Sequence, residues 1–198
     1  MKNNTVYVVG NNLYINLTNR CSNRCEFCVR YYDNPIYGDL WLQDEPTAEN
    51  VILTIQQNFD LNQYDEVVFC GYGEPTYRWE AIKLICDYIH SQGKKTRINT
   101  NGQGNKINGR DITQEMCQYI DSINVSLNAT DSVKYDKICH SDYGLQAFDI
   151  LIDFVCKCVQ HQGNVCLSVV DCIGEQEIAK AKQICDKIGC KLKVRELL

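Results

Sequence analysis

The sequence predicts an α/β fold, an open, partial (β/α)6 barrel, from two observations. Short runs rich in Val, Ile and Tyr alternate six times with stretches whose apolar residues recur at helical spacing, which reads as βα units on a parallel sheet with right-handed crossovers. The chain also has only 198 residues, short of the ~250 that eight such units use to close a barrel. A doubly wound sheet is the competing topology, and in both cases ligands bind at the carboxyl ends of the strands.

Taken in order, Thr5 to Val9 and Leu13 to Leu17 flank Gly10-Asn11-Asn12 and predict a hairpin. Ala48, Val51, Ile52, Ile55 and Phe59 form a helical stripe after Pro46, a good first-turn residue. Glu66 to Cys70 is the next strand. Ile82, Ile85, Cys86 and Ile89 mark a helix stopped by Gly93, and Thr96 to Thr100 the strand that follows. Ile112, Met116 and Ile120 give a short helix before the strand Ser122 to Leu127. Leu145, Phe148, Ile152, Val155 and Val159 define a long helix ending before Gly163, followed by the strand Val165 to Val170. Ile178, Ala181, Ile184, Cys185 and Ile188 define the last helix, stopped by Gly189 ahead of the strand Lys191 to Arg195. No linker or tandem repeat interrupts this order, and at ~150 residues per domain the whole of 1–198 is expected to be a single domain.

Charge narrows the partners. With 20 Lys and Arg against 25 Asp and Glu and a pI near 5.2, there is no clustered basic footprint for a phosphate backbone, so nucleic acid is not favoured. No run approaches the ~18 apolar residues of a membrane helix. Met1-Lys2-Asn3-Asn4-Thr5 lacks the apolar core of a signal peptide, so the expected location is cytoplasmic. There thiols stay reduced, and the 13 cysteines point to metal or catalysis rather than to a disulfide framework. No Ser-His-Asp set, phosphate-cradling loop or zinc-protease helix is present to run acid-base hydrolysis.

The sharpest feature is Cys21-Ser22-Asn23-Arg24-Cys25-Glu26-Phe27-Cys28, directly after the first predicted parallel strand. Three thiolates within eight residues can converge on one iron–sulfur cluster and leave a fourth iron bare, an open position of the kind catalysis uses. A zinc site, which requires a fourth ligand, and a metal-free thiol loop are the other readings of the spacing. The strand Glu66 to Cys70 runs into Gly71-Tyr72-Gly73-Glu74-Pro75-Thr76. Glycines there let backbone approach a ligand, and a carboxylate beside carbonyl oxygens suits an ammonium. An ordinary βα turn is the plain alternative. Polar residues alternate on strands expected to be buried on both faces: Asn124, Ser126 and Asn128 on one, Arg97, Asn99 and Asn101 on another. Buried amides and hydroxyls toward carboxyl ends suggest a ligand rich in hydroxyls, against satisfaction by neighbouring loops.

Cys21, Cys25 and Cys28, with aromatic Phe27 before the last cysteine, resemble the signature of the radical S-adenosylmethionine (radical SAM) superfamily. The resemblance implies that the three cysteines hold a [4Fe–4S] cluster whose bare iron takes the amino and carboxylate groups of S-adenosyl-L-methionine. One electron then cleaves the sulfonium to methionine and a 5′-deoxyadenosyl radical that abstracts a substrate hydrogen atom. It likewise assigns Gly71, Tyr72, Gly73, Glu74 and Pro75 to the methionyl amino group. Ser126 and Asn128, with Asn101, fall where the family binds the ribose or carboxylate of the cofactor. An oxygen-sensitive enzyme follows, served by an electron donor such as flavodoxin or ferredoxin. Within the superfamily, Leu17-Thr18-Asn19-Arg20-Cys21, Leu40-Trp41-Leu42, Val68-Phe69-Cys70-Gly71-Tyr72-Gly73-Glu74-Pro75-Thr76, Asn99-Thr100-Asn101-Gly102 and Ser126-Leu127-Asn128-Ala129 resemble the TatD-family-associated radical SAM proteins. That likeness implies a TatD-like hydrolase as a partner. The lateral opening of an incomplete barrel suggests a bulky substrate or partner protein, and a small metabolite held by Arg30 and Arg195 is the other enzymatic option. The alternative from a different class is a non-catalytic iron–sulfur electron-transfer or metal-binding module.

Of the remaining cysteines, Cys86, Cys117, Cys156 and Cys185 sit at helical apolar spacing and read as core filling. Cys70 sits at a strand end close to the cysteine run, and were it a fourth ligand the open iron would vanish. The segment with Tyr31, Tyr32, Tyr37 and Trp41 reads as a lid over the cluster, with core packing as the alternative.

Overall fold

The computed structural model describes residues 4–31 and 38–196. Among the described residues seven strands follow one another in chain order, β1 to β7, an order with two ends that does not close. This is the open α/β fold that the alternating pattern predicts. The chain divides into two compact units, the first comprising Met1–Cys21, Phe27–Asn99 and Tyr119–Asp121, the second Ser22–Glu26, Thr100–Gln118 and Ser122–Leu198.

In the first unit, β1 (Val6–Val9) and β2 (Asn12–Ile15) form the predicted antiparallel hairpin, with Tyr7 opposite Tyr14. β2 pairs in parallel with β3 (Glu66–Phe69), and β3 with β4 (Lys95–Thr100). The register puts Leu13, Val67 and Thr96 in one row and Tyr14, Val68 and Arg97 in the next, so the strands have an apolar and a more polar face. The apolar rows, Leu13, Ile15, Val67, Phe69 and Ile98, are almost wholly buried, as are Val51 and Ile55 of α1 (Ala48–Asn58) and Ile82, Ile85, Cys86 and Ile89 of α2 (Trp79–Ser91). Of the predicted stripe of α1, Ala48, Val51 and Ile55 are buried, Ile52 is half-buried and Phe59 is the C-cap just past the helix, and Pro46 does not enter the first turn. Thr47 is the N-cap, its hydroxyl accepting from the Asn50 amide at 3.2 Å, which satisfies one of the orphan donors of the helix end. The polar face carries Arg97, whose guanidinium donates to Glu66 at 2.8 Å, to Asn99 at 2.9 Å and to the Tyr14 hydroxyl at 3.3 Å. Burial disfavours that charge, but the Tyr14 and Glu66 contacts outweigh it and hold the guanidinium above its usual value.

The second unit carries α3 (Gly104–Asn108) and α4 (Thr113–Tyr119), most of which belongs to it, then β5 (Ser122–Ser126), α5 (Ser132–Cys139), α6 (Gln146–Gln160), β6 (Val165–Val170), α7 (Glu175–Ile188) and β7 (Lys191–Arg195). β5, β6 and β7 are parallel neighbours. Ile123, Val125, Leu167 and Val169 are buried, and so are Leu151, Phe154 and Val155 of α6. The sequence pattern misses α3 and α5. Five residues are too few to show a stripe, and α5 exposes Val133 while burying only Tyr135 and Cys139. The signal available for α5 is Asp131, whose carboxylate accepts from the Lys134 amide at 2.9 Å as an N-cap. β4 ends at Thr100 as predicted, and β5 ends at Ser126, one residue short of its predicted end, so Asn101 and Asn128 lie beyond the alternation that predicts a common face.

Candidate active site

In the first unit the chain leaves β2 through Asn16-Leu17-Thr18-Asn19-Arg20 and reaches Cys21, while β3 ends in the turn Gly71 to Pro75. The two segments lie against each other: the Glu74 amide donates to the Arg20 carbonyl at 2.7 Å, and Cys70 donates to Ile15 at 3.0 Å. This close packing is what requires the glycines. A Cβ on Gly71 would overlap the Asn16 side chain, and one on Gly73 would overlap the Thr18 carbonyl oxygen and sit 2.5 Å from that of Arg20. The space they save is occupied by the strand that leads into the cysteine run, a packing reason that the sequence alone does not distinguish from ligand approach. Glu74 is 3% exposed; one carboxylate oxygen accepts from the Thr76 amide at 3.2 Å and hydroxyl at 2.7 Å, with Pro75 in the first position of a short 3-10 turn. Tyr72 is buried and meets the exposed Trp41 edge-on at 5.4 Å between ring centroids.

The segment around Trp41 is tied to the exit of β2. Asn16 donates to the Leu40 carbonyl at 2.6 Å, and the two ends of the Asn19 amide pair with the Leu42 backbone at 2.8 and 3.1 Å. Glu45 accepts from Thr18 at 2.5 Å, from Arg20 at 2.8 and 3.0 Å and from Arg78 at 3.0 Å. Burial works to raise the Glu45 carboxyl, but the Arg20 and Thr18 hydrogen bonds and the two guanidinium charges hold it below the ordinary range. Residues 32–37 of the expected lid, with Tyr32 and Tyr37, lie outside the described residues. Arg30 stacks on the Tyr31 ring and donates to its hydroxyl at 3.0 Å. Phe27 and Cys28 are half-buried, as are Cys21 and Cys70, and the Cys70 carbonyl accepts from Tyr7 at 3.0 Å.

In the second unit Ser22 to Glu26, which includes half-buried Cys25, is held by backbone and by a buried polar network. Arg24 donates to the Cys139 carbonyl at 2.8 Å, Glu26 to Ile138 at 3.1 Å, and Ser22 accepts from Asp142 at 2.8 Å. At the centre stands Gln103, fully buried. Its carbonyl oxygen accepts from Ser22 at 2.7 Å and Ser141 at 3.2 Å; its amide donates to Asn23 at 2.9 Å and to the Tyr135 hydroxyl at 3.2 Å. All four hydrogen-bonding positions of one amide are filled. Asn23 also donates to Tyr135 at 3.0 Å, and burial, then the charges of Cys139 and Cys25, push that phenol well up. Sequence reasoning missed Gln103 and Tyr135, since the five participating positions are scattered from 22 to 141.

The predicted polar residues of this unit have different surroundings. Asn101 donates to Ser22 at 2.9 Å and accepts from the Gln103 backbone N–H at 3.0 Å, so its side chain ties the loop that bears Cys25 to the start of the turn before α3. Ser126 is half-buried in register with Ser168. Asn128 has a left-handed backbone, φ 59°, that Asn tolerates, and is 3% exposed. Its amide nitrogen reaches the Cys139 sulfur at 3.5 Å, while its carbonyl oxygen is buried with no hydrogen-bond partner. A buried acceptor of that kind is costly unless a ligand supplies the donor. Arg195 is exposed on β7. Among the described residues no three or more His, Cys, Asp or Glu side chains are arranged around a single metal ion. Ligands that sit on different irons of a cube have no single centre to converge on, and soft thiolates are the donor type that an iron–sulfur cluster takes.

The family model of the radical SAM superfamily matches residues 15–168 of this chain. Molybdenum cofactor biosynthesis protein moc-5 of Caenorhabditis elegans is 27% identical over 131 residues, 66% of this chain and 20% of that protein. The corresponding protein 1 of Bos taurus is 30% identical over 130 residues, 64% of this chain and 19% of that protein. The chain thus spans about a fifth of these curated relatives. Among solved structures, Streptococcus suis SuiB bound to S-adenosylmethionine has the same fold with a TM-score of 0.69 at 18% identity, over 95% of this chain and 41% of that one; SuiB is also solved bound to its precursor peptide SuiA. No described helix is long and apolar enough to cross a membrane.

Proposed function

The chain belongs to the radical SAM superfamily, and on that premise we propose that it is a radical SAM enzyme, a single domain of residues 1–198, in which Cys21, Cys25 and Cys28 hold a [4Fe–4S] cluster and leave one iron to S-adenosylmethionine. When bound and reduced, this pair supplies a 5′-deoxyadenosyl radical that takes a hydrogen atom from the substrate. The protein contributes position rather than acid-base chemistry. Glu74 and the carbonyls of Gly71, Tyr72 and Gly73 receive the methionyl ammonium, with Pro75 fixing the turn. Asn128 offers its unpartnered oxygen to a ribose hydroxyl or to the amino end of the cofactor, and Ser126 lines the same ligand. Phe27 packs beside Cys28 and shields the sulfur from water, while Asn101 holds the loop of Cys25 through Ser22.

The observation that carries this reading is the direct hydrogen bond from Glu74 to Arg20, the residue before Cys21, which joins the glycine turn to the start of the cysteine run. The motif likeness supports membership of the TatD-associated group, a cytoplasmic setting, a flavodoxin or ferredoxin as electron donor, and a TatD-like hydrolase as partner. A peptide or other bulky substrate is favoured over a small one held by Arg30 and Arg195, since Arg30 is engaged with Tyr31. Anaerobic reconstitution with iron and sulfide, then dithionite and S-adenosylmethionine, is the test. The enzyme releases 5′-deoxyadenosine, and Cys25→Ala does not. A fully loaded cluster that releases none, and has no affinity for S-adenosylmethionine, assigns the chain to electron transfer instead.

A further inference from the structure

The end of α7 carries a thiol pair that the proposed activity does not use. Gly189 has a left-handed backbone, φ 84°, and both its amide and that of Cys190 donate to the Cys185 carbonyl, at 2.8 and 3.1 Å. This is a helix-ending motif in which the residue after the glycine folds back onto the one four positions before it, and the two side chains meet. In α2 the same bond, Lys94 to Ile89 at 3.2 Å, ends the helix at Gly93 with an aliphatic chain and a lysine. In α7 the residues in those two places are Cys185 and Cys190, and each thiol shifts the titration of the other. Cys185 is 1% exposed and within 3.7 Å of the Lys191 carbonyl; Cys190 is half-buried.

We propose that Cys185 and Cys190 form a thiol–disulfide exchange site for low-molecular-weight disulfides, with Cys190 as the attacking sulfur and Cys185 as the resolving one. The Cys190 thiolate attacks one sulfur of a small disulfide, RSSR, forming a mixed disulfide and expelling RS⁻. The Cys185 thiolate then attacks the Cys190 sulfur, closing the intramolecular disulfide and expelling the second RS⁻. The two cysteines give up two electrons and two protons, and RSSR gains them as two RSH.

Three features support this order. The turn folds the Cys190 backbone onto the Cys185 carbonyl, and a side-chain contact between these two positions commonly accompanies that bond, the proximity a disulfide requires. Only Cys190 of the pair is open to a reagent. The neighbouring Cys185 thiol and the Leu167 amide lower the Cys190 thiol, whereas the Cys190 thiol beside it and burial raise Cys185. Cys166 and Cys156 feel the Cys190 charge, but neither lowers it in the way Cys185 does.

The test uses the full chain, purified anaerobically and exposed to oxidised glutathione, then alkylated, digested and mapped by mass spectrometry. The expected wild-type product is a peptide joining Cys185 to Cys190. Cys185→Ser is expected to accumulate glutathione on Cys190, about tenfold above wild type because the resolving thiol is gone, and Cys190→Ser is expected to leave Cys185 unmodified. Cross-linking of Cys190 to Cys166 or Cys156, glutathione on Cys185 in the Cys190→Ser protein, or thiols that stay reduced in the wild type would each overturn the assignment. The wild-type map requires no variant to fold.

Discussion

Gln103→Leu isolates the buried network that holds the loop of Cys25. The glutamine is fully buried and makes four hydrogen bonds, to Ser22, Ser141, Asn23 and Tyr135. At about 1 kcal/mol net per bond the loss is about 4 kcal/mol, and burial of an apolar side chain of similar volume recovers some of it, so about 2–3 kcal/mol should remain. For a chain of this size each kcal/mol lowers the melting temperature by about 2–4 °C, so the shift should be about 5–10 °C. Urea unfolding followed by circular dichroism gives the free energy, with unchanged slope showing that the unfolded state is not involved. Ser141→Ala is the companion, since it removes the 3.2 Å bond to Gln103 together with the 3.3 Å bond from the Tyr143 amide, and should cost about 1–2 kcal/mol, less than Gln103→Leu. Gln103→Leu within about 0.5 kcal/mol of wild type, a size ordinary for surface changes, would refute the network argument.

Three further outcomes follow from the geometry. Gly73→Ala forces a Cβ onto the Thr18 and Arg20 carbonyls, which are backbone and cannot rotate away, so it should destabilise by about 1–3 kcal/mol in the same urea assay. Glu74→Gln keeps an oxygen for the Thr76 bonds and removes the charge; equilibrium binding should show weakened affinity for S-adenosylmethionine at unchanged iron content. In the second unit, hydrogen bonds from Lys180, Thr130 and Lys134 lower the Glu177 carboxyl to about 2. Because its folded value lies below the unfolded one, its stabilisation is complete above the unfolded value of about 4.3 and is lost as pH falls toward 2. The urea midpoint should drop more steeply through that window in wild type than in Glu177→Gln.

The strands were legible because their apolar runs are short, β-branched and bounded by turn residues; Val165–Val170 and Lys191–Arg195 match to the residue. The cysteine run and the glycine turn were legible as motifs because each is contiguous. What the sequence could not show is how they are held. Asn101 looks like a ligand residue in a row of alternating polars, yet its amide is engaged by Ser22 and by the Gln103 backbone, positions 79 and 2 residues away in the chain. Asn128 owes its unpartnered oxygen to a left-handed turn past the end of β5 that alternation cannot foresee. Cys117 and Cys156 share the helical spacing of buried Cys86 and Cys185 but stay half-buried, because periodicity reports a face and not how far its edge is covered.

The central claim is that three cysteines hold the cluster and the fourth iron remains open to the cofactor. Electron paramagnetic resonance of the reduced, reconstituted protein tests it without requiring a substrate. The account predicts that S-adenosylmethionine changes the reduced cluster's signal, and that Cys70→Ala leaves both the iron content and this response intact. A spectrum indifferent to S-adenosylmethionine, or a cluster lost with Cys70, would mean that a fourth thiolate occupies the open iron.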